Sequence, residues 1–223
     1  MAEHGDRAAF LGRMRMALAG GAPANPIRPL TPLPAGRLPS LEYAVDLSDM
    51  RTRFTEAATA AGAVVRSLGS PEDVAALVTE LVAAHHVRRA AVSGDPECAT
   101  VPDVLSAFDV DVIRPGDVQA VAGADLGITG AVAGVALTGS VVVDSTRAGG
   151  RTASVLPPVH LALVSLDALV ATPGDVFRGL GRRADDLPSN LVFITGPSRS
   201  ADIELVITLG VHGPHTLWIG LIG

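Results

Sequence analysis

Apolar positions recur along this chain in two alternating rhythms. Val74, Leu77, Val78, Leu81 and Val82 fall three and four apart, the signature of one buried helix face. Ser70-Pro71-Glu72-Asp73 precedes them, offering a capping hydroxyl, a first-turn proline and acids at the positive end of the helix dipole. A second helical stretch is expected over Leu47–Ala61, a third near Val101–Phe108 and a fourth over Asp175–Arg183. Between them lie short runs rich in Val, Ile, Leu and Ala. They predict strands at Ala63–Leu68, Arg89–Ser93, Asp111–Ile113, Asp125–Thr129, Val159–Ser165, Leu191–Thr195 and Thr216–Ile222. Val135–Leu137 and Val141–Asp144, flanking Thr138-Gly139-Ser140, predict a hairpin, and Ala201–Leu209 a last helix. Strands alternating with helices predict an α/β fold: an open, mostly parallel, doubly wound sheet with a hairpin-bearing insertion.

The N-terminal part has another texture. Phe10, Leu11, Met14 and Leu18 make one face of a helix over Asp6–Ala19, with Arg7, Arg13 and Arg15 opposite and Gly20-Gly21 as its stop. Six prolines within the seventeen positions Pro23–Pro39 then forbid regular structure and predict an extended arm. Residues 1–40 are therefore expected to be a helix plus arm, packing on their own domain or reaching a partner subunit, and residues 41–223 an α/β domain. The mean hydropathy of +0.39 is high. No run approaches the ~18 uninterrupted apolar residues of a membrane span, and no signal-peptide pattern opens the chain, so a cytoplasmic location is expected.

Composition narrows the chemistry. The net charge of −6 argues against binding a nucleic-acid backbone. All 17 cationic side chains are arginine, which rules out lysine Schiff-base chemistry and a Walker-type phosphate loop. Carboxylate or phosphate recognition by guanidinium stays open. The single cysteine, Cys98, excludes a disulfide framework and a self-contained iron–sulfur cluster. Its acidic neighbours Asp95 and Glu97 raise a thiol pKa rather than lower it. His85-His86 would point roughly 100° apart on a helix and make a poor metal pair, so no metal site is expected. No Gly-x-Gly-x-x-Gly fingerprint supports a nicotinamide or flavin cofactor.

Three polar turns follow predicted strands: Gly127-Ile128-Thr129-Gly130, Leu137-Thr138-Gly139-Ser140 and Thr195-Gly196-Pro197-Ser198-Arg199. Strand ends of such sheets converge on one edge, so the three are expected to line one anion-binding crevice. The expected ligand contacts are Thr138, Gly139, Ser140, Gly196, Ser198 and Arg199, with His160 and His212. Arg199 would open the helix Ala201–Leu209, where guanidinium and helix N-terminus both favour an anion; pairing with Asp202 or Glu204 is the competing arrangement. His160, at the entrance of an apolar strand, suits a buried hydrogen-bonding role as well as ligand contact. His212, between glycines, suits proton transfer or ligand binding. His212 and Glu204 are the candidates for moving protons. Arg147 and Arg151 sit in a Gly-rich loop, solvated or able to close over an anion.

The strings Ala153–His160 (ASVLPPVH), Thr195–Glu204 (TGPSRSADIE) and Gly210–Pro214 (GVHGP) resemble the lactate-utilisation protein C family, the LUD domain. The likeness covers roughly Asp125 to the C-terminus and the helix-and-arm beginning. It implies the open α/β fold of ribose-5-phosphate isomerase and the coenzyme A transferases. It also implies a role beside two partners, one an iron–sulfur protein, in bacterial oxidation of L-lactate to pyruvate. On that expectation the chain is a subunit binding a small carboxylate or a partner protein, with no redox cofactor of its own and the iron–sulfur cluster on a partner. One departure matters: where relatives carry glutamate before the Thr-Gly turn, this chain has Leu137, which can neither act as a base nor form an acyl intermediate. The alternative is a stand-alone enzyme acting on a phosphosugar or an acyl-coenzyme A.

Overall fold

A computed structural model describes Met16 and residues 49–179, 188–201, 207–209 and 213–223. The chain divides at Ala44 into two units, of which Val45–Gly223 is the one described below. Apart from Met16, which is helical, the expected N-terminal helix lies outside the described residues, as do the proline arm, Asp202, Glu204 and His212.

Among the described residues of this unit the α-helices in chain order are α1 (Met50–Ala60), α2 (Pro71–His85), α3 (Val101–Ser106), α4 (Val118–Ala122), α5 (Thr152–Val155) and α6 (Pro173–Gly179). The strands are β1 (Val64–Leu68), β2 (Arg89–Val92), β3 (Asp111–Ile113), β4 (Leu126–Gly130), β5 (Ala133–Val135), β6 (Ser140–Asp144), β7 (Val159–Ser165), β8 (Leu169–Val170), β9 (Leu191–Ile194), β10 (Arg199–Ala201), β11 (Ile207–Leu209) and β12 (Thr216–Ile222). Capping follows the sequence. Asp49 accepts a hydrogen bond from Thr52 N (3.0 Å) at the start of α1, and Ser70 caps α2 through Asp73 N (3.3 Å), with Pro71 in the first turn.

The central sheet has the order β1-β12-β7-β4-β2-β3, and every pairing in it is parallel. Both of its faces are covered, as the runs of buried aliphatics require. Leu161 and Leu163 of β7 point to the side packed by Val74, Leu77 and Leu81 of α2 and by Leu105 of α3. Ala162 and Val164 point the other way, toward Phe54 and Ala58 of α1 and Val141 of β6. The expected hairpin, β5–β6, is part of a second sheet, β8-β5-β6-β9, which covers that other face rather than protruding as an insertion.

One expected element is different in kind. Residues 199–201 and 207–209 form an antiparallel pair, β10–β11, with Arg199 opposite Leu209. Acids near its start suggested a helix, but the sequence there is rich in β-branched residues, which favour strands. Arg199 lies on a strand, and the described residues of the expected helix, Ala201 and 207–209, are strand as well. Two short helices, α4 and α5, were invisible in the pattern because neither spans two turns.

Candidate functional site

The three polar turns separate into two places. Thr195–Arg199 follows β9 of the second sheet, and its position against the main sheet is fixed by the strand entrances. Ser198 N donates to Pro214 O (2.9 Å), just before β12, and His215 N donates to Pro158 O (2.8 Å), just before β7. The turn thus sits at the amino edge of the parallel sheet. The hairpin turn Thr138–Ser140 joins it there. Ser140 Oγ lies 2.7 Å from Thr138 Oγ1 and 2.6 Å from Thr195 Oγ1, a chain of three hydroxyls. Both turns press on α1 through left-handed glycines. Gly139 (φ 66°) abuts the backbone of Ala58, and Gly196 (φ 79°) abuts Ala61 O. A Cβ at either would meet main chain, so these positions require glycine for both conformation and space.

Arg199 Nη2 donates to Ala61 O (3.3 Å), the C-cap of α1. Its charge therefore lies at the negative end of a helix, a favourable pairing that uses part of its donor set. The rest of the exposed guanidinium, with Thr195, Gly196 and Ser198, faces a pocket of about 550 Å³ floored by Val192, Phe193 and Ile194. Of the residues expected to bind ligand, Gly196, Ser198 and Arg199 line this pocket, and Thr138, Gly139 and Ser140 stand beside it, joined through Thr195 rather than lining it. Leu137, in the place of the family glutamate, packs against the buried group around Val135 and Val176.

His160 does not line this pocket. It is the second residue of β7, an interior strand of the main sheet, with no exposed surface, and Nε2 is 2.9 Å from Thr129 Oγ1. Nδ1 is buried without a partner. An orphaned acceptor costs less than an orphaned N–H, so the arrangement favours the tautomer in which Nε2–H donates to Thr129. Burial alone pushes its pKa down to about 4, which keeps the ring neutral. The turn Gly127–Gly130 is likewise internal, forming β4 itself.

The carboxyl edge holds a second cluster, which the sequence pattern did not bring forward. The chain steps from β2 to β3 on one side and then returns to lay β4 on the other. The strand order therefore reverses between β2 and β4, where open α/β sheets place ligands. Ser93 and Asp95 follow β2 at that point, and Gly130 ends β4. Asp95 Oδ2 accepts from Ser93 Oγ (2.6 Å) and Gly130 N (3.1 Å). A Cβ at Gly130 would stand 2.5 Å from Asp95 Cβ and from Glu97 Oε2, so only glycine admits the two acids. Arg147, from the loop after β6, reaches over with Nε 3.4 Å from Asp95 Oδ1 and Nη2 3.5 Å from Glu97 Oε2.

That loop was expected to be mobile; instead it is tied down by Thr146 N to Asp144 Oδ1 (2.7 Å) and Gly150 N to Ser145 O (2.7 Å), with Ala148 buried. The resulting cleft, about 540 Å³, is lined by Ser93, Asp95, Cys98, Arg114, Pro115 and Arg147, among others. Cys98 contributes a thiol only: burial, with smaller contributions from Asp95 and Glu97, pushes its pKa up to about 12. The signal for this cluster was Ser93-Gly94-Asp95 directly after a buried strand. Its significance depends on strand order, which local pattern does not encode.

Relatives share parts of this chain. It is 44% identical over 94 residues to the Lactate utilization protein C of Halalkalibacterium halodurans, a stretch covering 41% of each protein. It is 38% identical over 94 residues to the protein of that name from Bacillus subtilis, covering 41% of this chain and 39% of the other. The matched stretches thus span well under half the length of these relatives. Among solved structures, a DUF162 family protein from Deinococcus radiodurans superposes with a TM-score of 0.60 at 20% identity, over 80% of this chain and 99% of that one, and so shares the fold. Residues 51–222, nearly all of the α/β unit, match the LUD domain, and the chain belongs to the LUD domain family.

Proposed function

We propose that this protein serves in lactate utilisation as a subunit that binds a small carboxylate, with electrons handled by an iron–sulfur partner rather than by a cofactor of its own. The observation that carries the reading is the 44% identity to a relative named Lactate utilization protein C. The geometry supports a carboxylate at the amino edge. Arg199 keeps donors beyond the one spent on Ala61, and the Thr138–Ser140–Thr195 hydroxyl chain has a terminal O–H to spare after its two internal bonds. Among the described residues, Leu137 and neutral, buried His160 supply no base, which supports a holding role for the pocket. One cysteine cannot ligate a cluster unaided, which supports a redox group carried by a partner.

Two measurements test this. Deleting the gene in the native host should abolish growth on L-lactate while sparing growth on pyruvate. Wild-type protein should restore growth and Arg199→Ala should restore it poorly. Tagged protein recovered from lactate-grown cells should bring an iron–sulfur protein with it. Normal growth of the deletion strain on lactate would refute the role, and recovery of the protein alone would refute the subunit reading.

A further inference from the structure

We infer that the cleft at the carboxyl ends of β2, β3 and β4 is a second ligand site, built for a small polyhydroxylated organic anion. The inference concerns a different edge of the sheet from the carboxylate pocket and stands independently of the lactate reading.

Four observations converge. First, the cleft is lined by the loops after β2 and β3 at the carboxyl edge, beside the point between β2 and β4 where the strand order reverses. Second, its volume of about 540 Å³ is ample for a small organic molecule. Third, its mouth is cationic. Arg114 lines it, is exposed, and makes no ion pair among the described residues. Arg147 lines it too, with its side chain 41% exposed. The Arg147 loop is drawn toward the Arg114 loop, since a Cβ on Gly149 would stand 3.5 Å from Pro115 O. Two guanidiniums held by adjoining loops suit an anionic group with several oxygens.

Fourth, the inner part offers acceptors. Ser93 and Asp95 line it, and Asp95 is 4% exposed. The pairing of Asp95 Oδ1 with Arg147, at 3.4 Å, is longer than a close charge-assisted bond, so this oxygen keeps a lone pair for a ligand hydroxyl. Apolar walls from Val92, Pro102 and Pro115 would cover a carbon skeleton. Asp95, Glu97, Arg114 and Arg147 together carry two negative and two positive charges. An arriving anion is therefore offset mainly by Arg114, which the acids leave unpaired.

Isothermal titration on the full chain with four probes separates the requirements. Glucose 6-phosphate and gluconate carry hydroxyls with a phosphate or a carboxylate, glucose carries hydroxyls alone, and inorganic phosphate carries charge alone. At least one of the two hydroxylated acids should bind, about tenfold or more tighter than glucose or phosphate. Which one binds identifies the anionic group. Arg114→Ala, an exposed change that leaves the fold intact by circular dichroism, should weaken that binding at least tenfold. Arg199→Ala should leave it unchanged. The inference is overturned if neither acid binds at about 10 mM, if glucose or phosphate binds as well as the acids, if Arg114→Ala binds like the wild type, or if Arg199→Ala removes the binding instead.

Discussion

His160 makes the stability of this fold depend on pH in a defined direction. In the folded protein its ring is wholly buried and its pKa is pushed down from the ordinary 6.5 to about 4 by loss of solvation. The unfolded chain exposes the same ring to water. Between pH 6.5 and pH 4 the unfolded state therefore holds a proton that the folded state refuses, so stability falls as pH drops through that window and levels off below it. At 1.36 kcal/mol per pH unit, the full displacement is worth about 3 kcal/mol, of which about 2 kcal/mol is lost between pH 7.5 and pH 5. Urea unfolding at a series of pH values would measure it, with His160→Gln as the reference. Glutamine stays neutral throughout and can keep a hydrogen bond to Thr129. The other titrating groups are common to both proteins, so the difference between the two curves isolates His160. A difference that stays flat within about 0.5 kcal/mol from pH 7.5 to pH 5 would refute the reasoning.

Two further outcomes follow from the packing. Cys98 is 1% exposed and its pKa is pushed up to about 12, so at pH 8 a maleimide or disulfide reagent should modify the native thiol on the order of a thousandfold more slowly than the urea-unfolded one; rates within tenfold of each other would contradict that environment. Gly196→Ala forces a Cβ into Ala61 O at a left-handed backbone position, and should cost about 2–3 kcal/mol, on the order of 5–10 °C in Tm by calorimetry, whereas an unchanged Tm would mean the turn does not press on α1 as described.

Much of the architecture could be read from the chain because each element obeys a local rule. Asp111–Ile113, Val159–Ser165 and Thr216–Ile222 are strands as expected, being apolar runs bounded by turn residues. The α2 helix begins at the residue its proline and serine indicate. The segment 199–209 defeated the pattern because acids and β-branched residues give opposite signals there, and strand pairing decided. The candidate site was half legible. Thr138–Ser140 and Thr195–Arg199 do meet, through side chains 55 positions apart. They meet at the amino edge, however, because β9 belongs to the second sheet. Arg147 and Asp95 were each visible, but their pairing spans the two sheets and no spacing rule connects them.

The strand order also sets a timetable. Among the described residues β1 pairs only with β12, so Val64, near the start of the α/β unit, finds its partner only at Trp218. Everything between them must be synthesised first. During translation β1 and the α1 helix leading into it wait with an apolar face uncovered, while β2, β3, β4 and β7 already have neighbours to condense upon. The edge that carries the Arg199 pocket is therefore completed last. A ribosome stalled or a chain cut just before Thr216 would leave β1 with no strand to pair with and the pocket beside α1 without its frame.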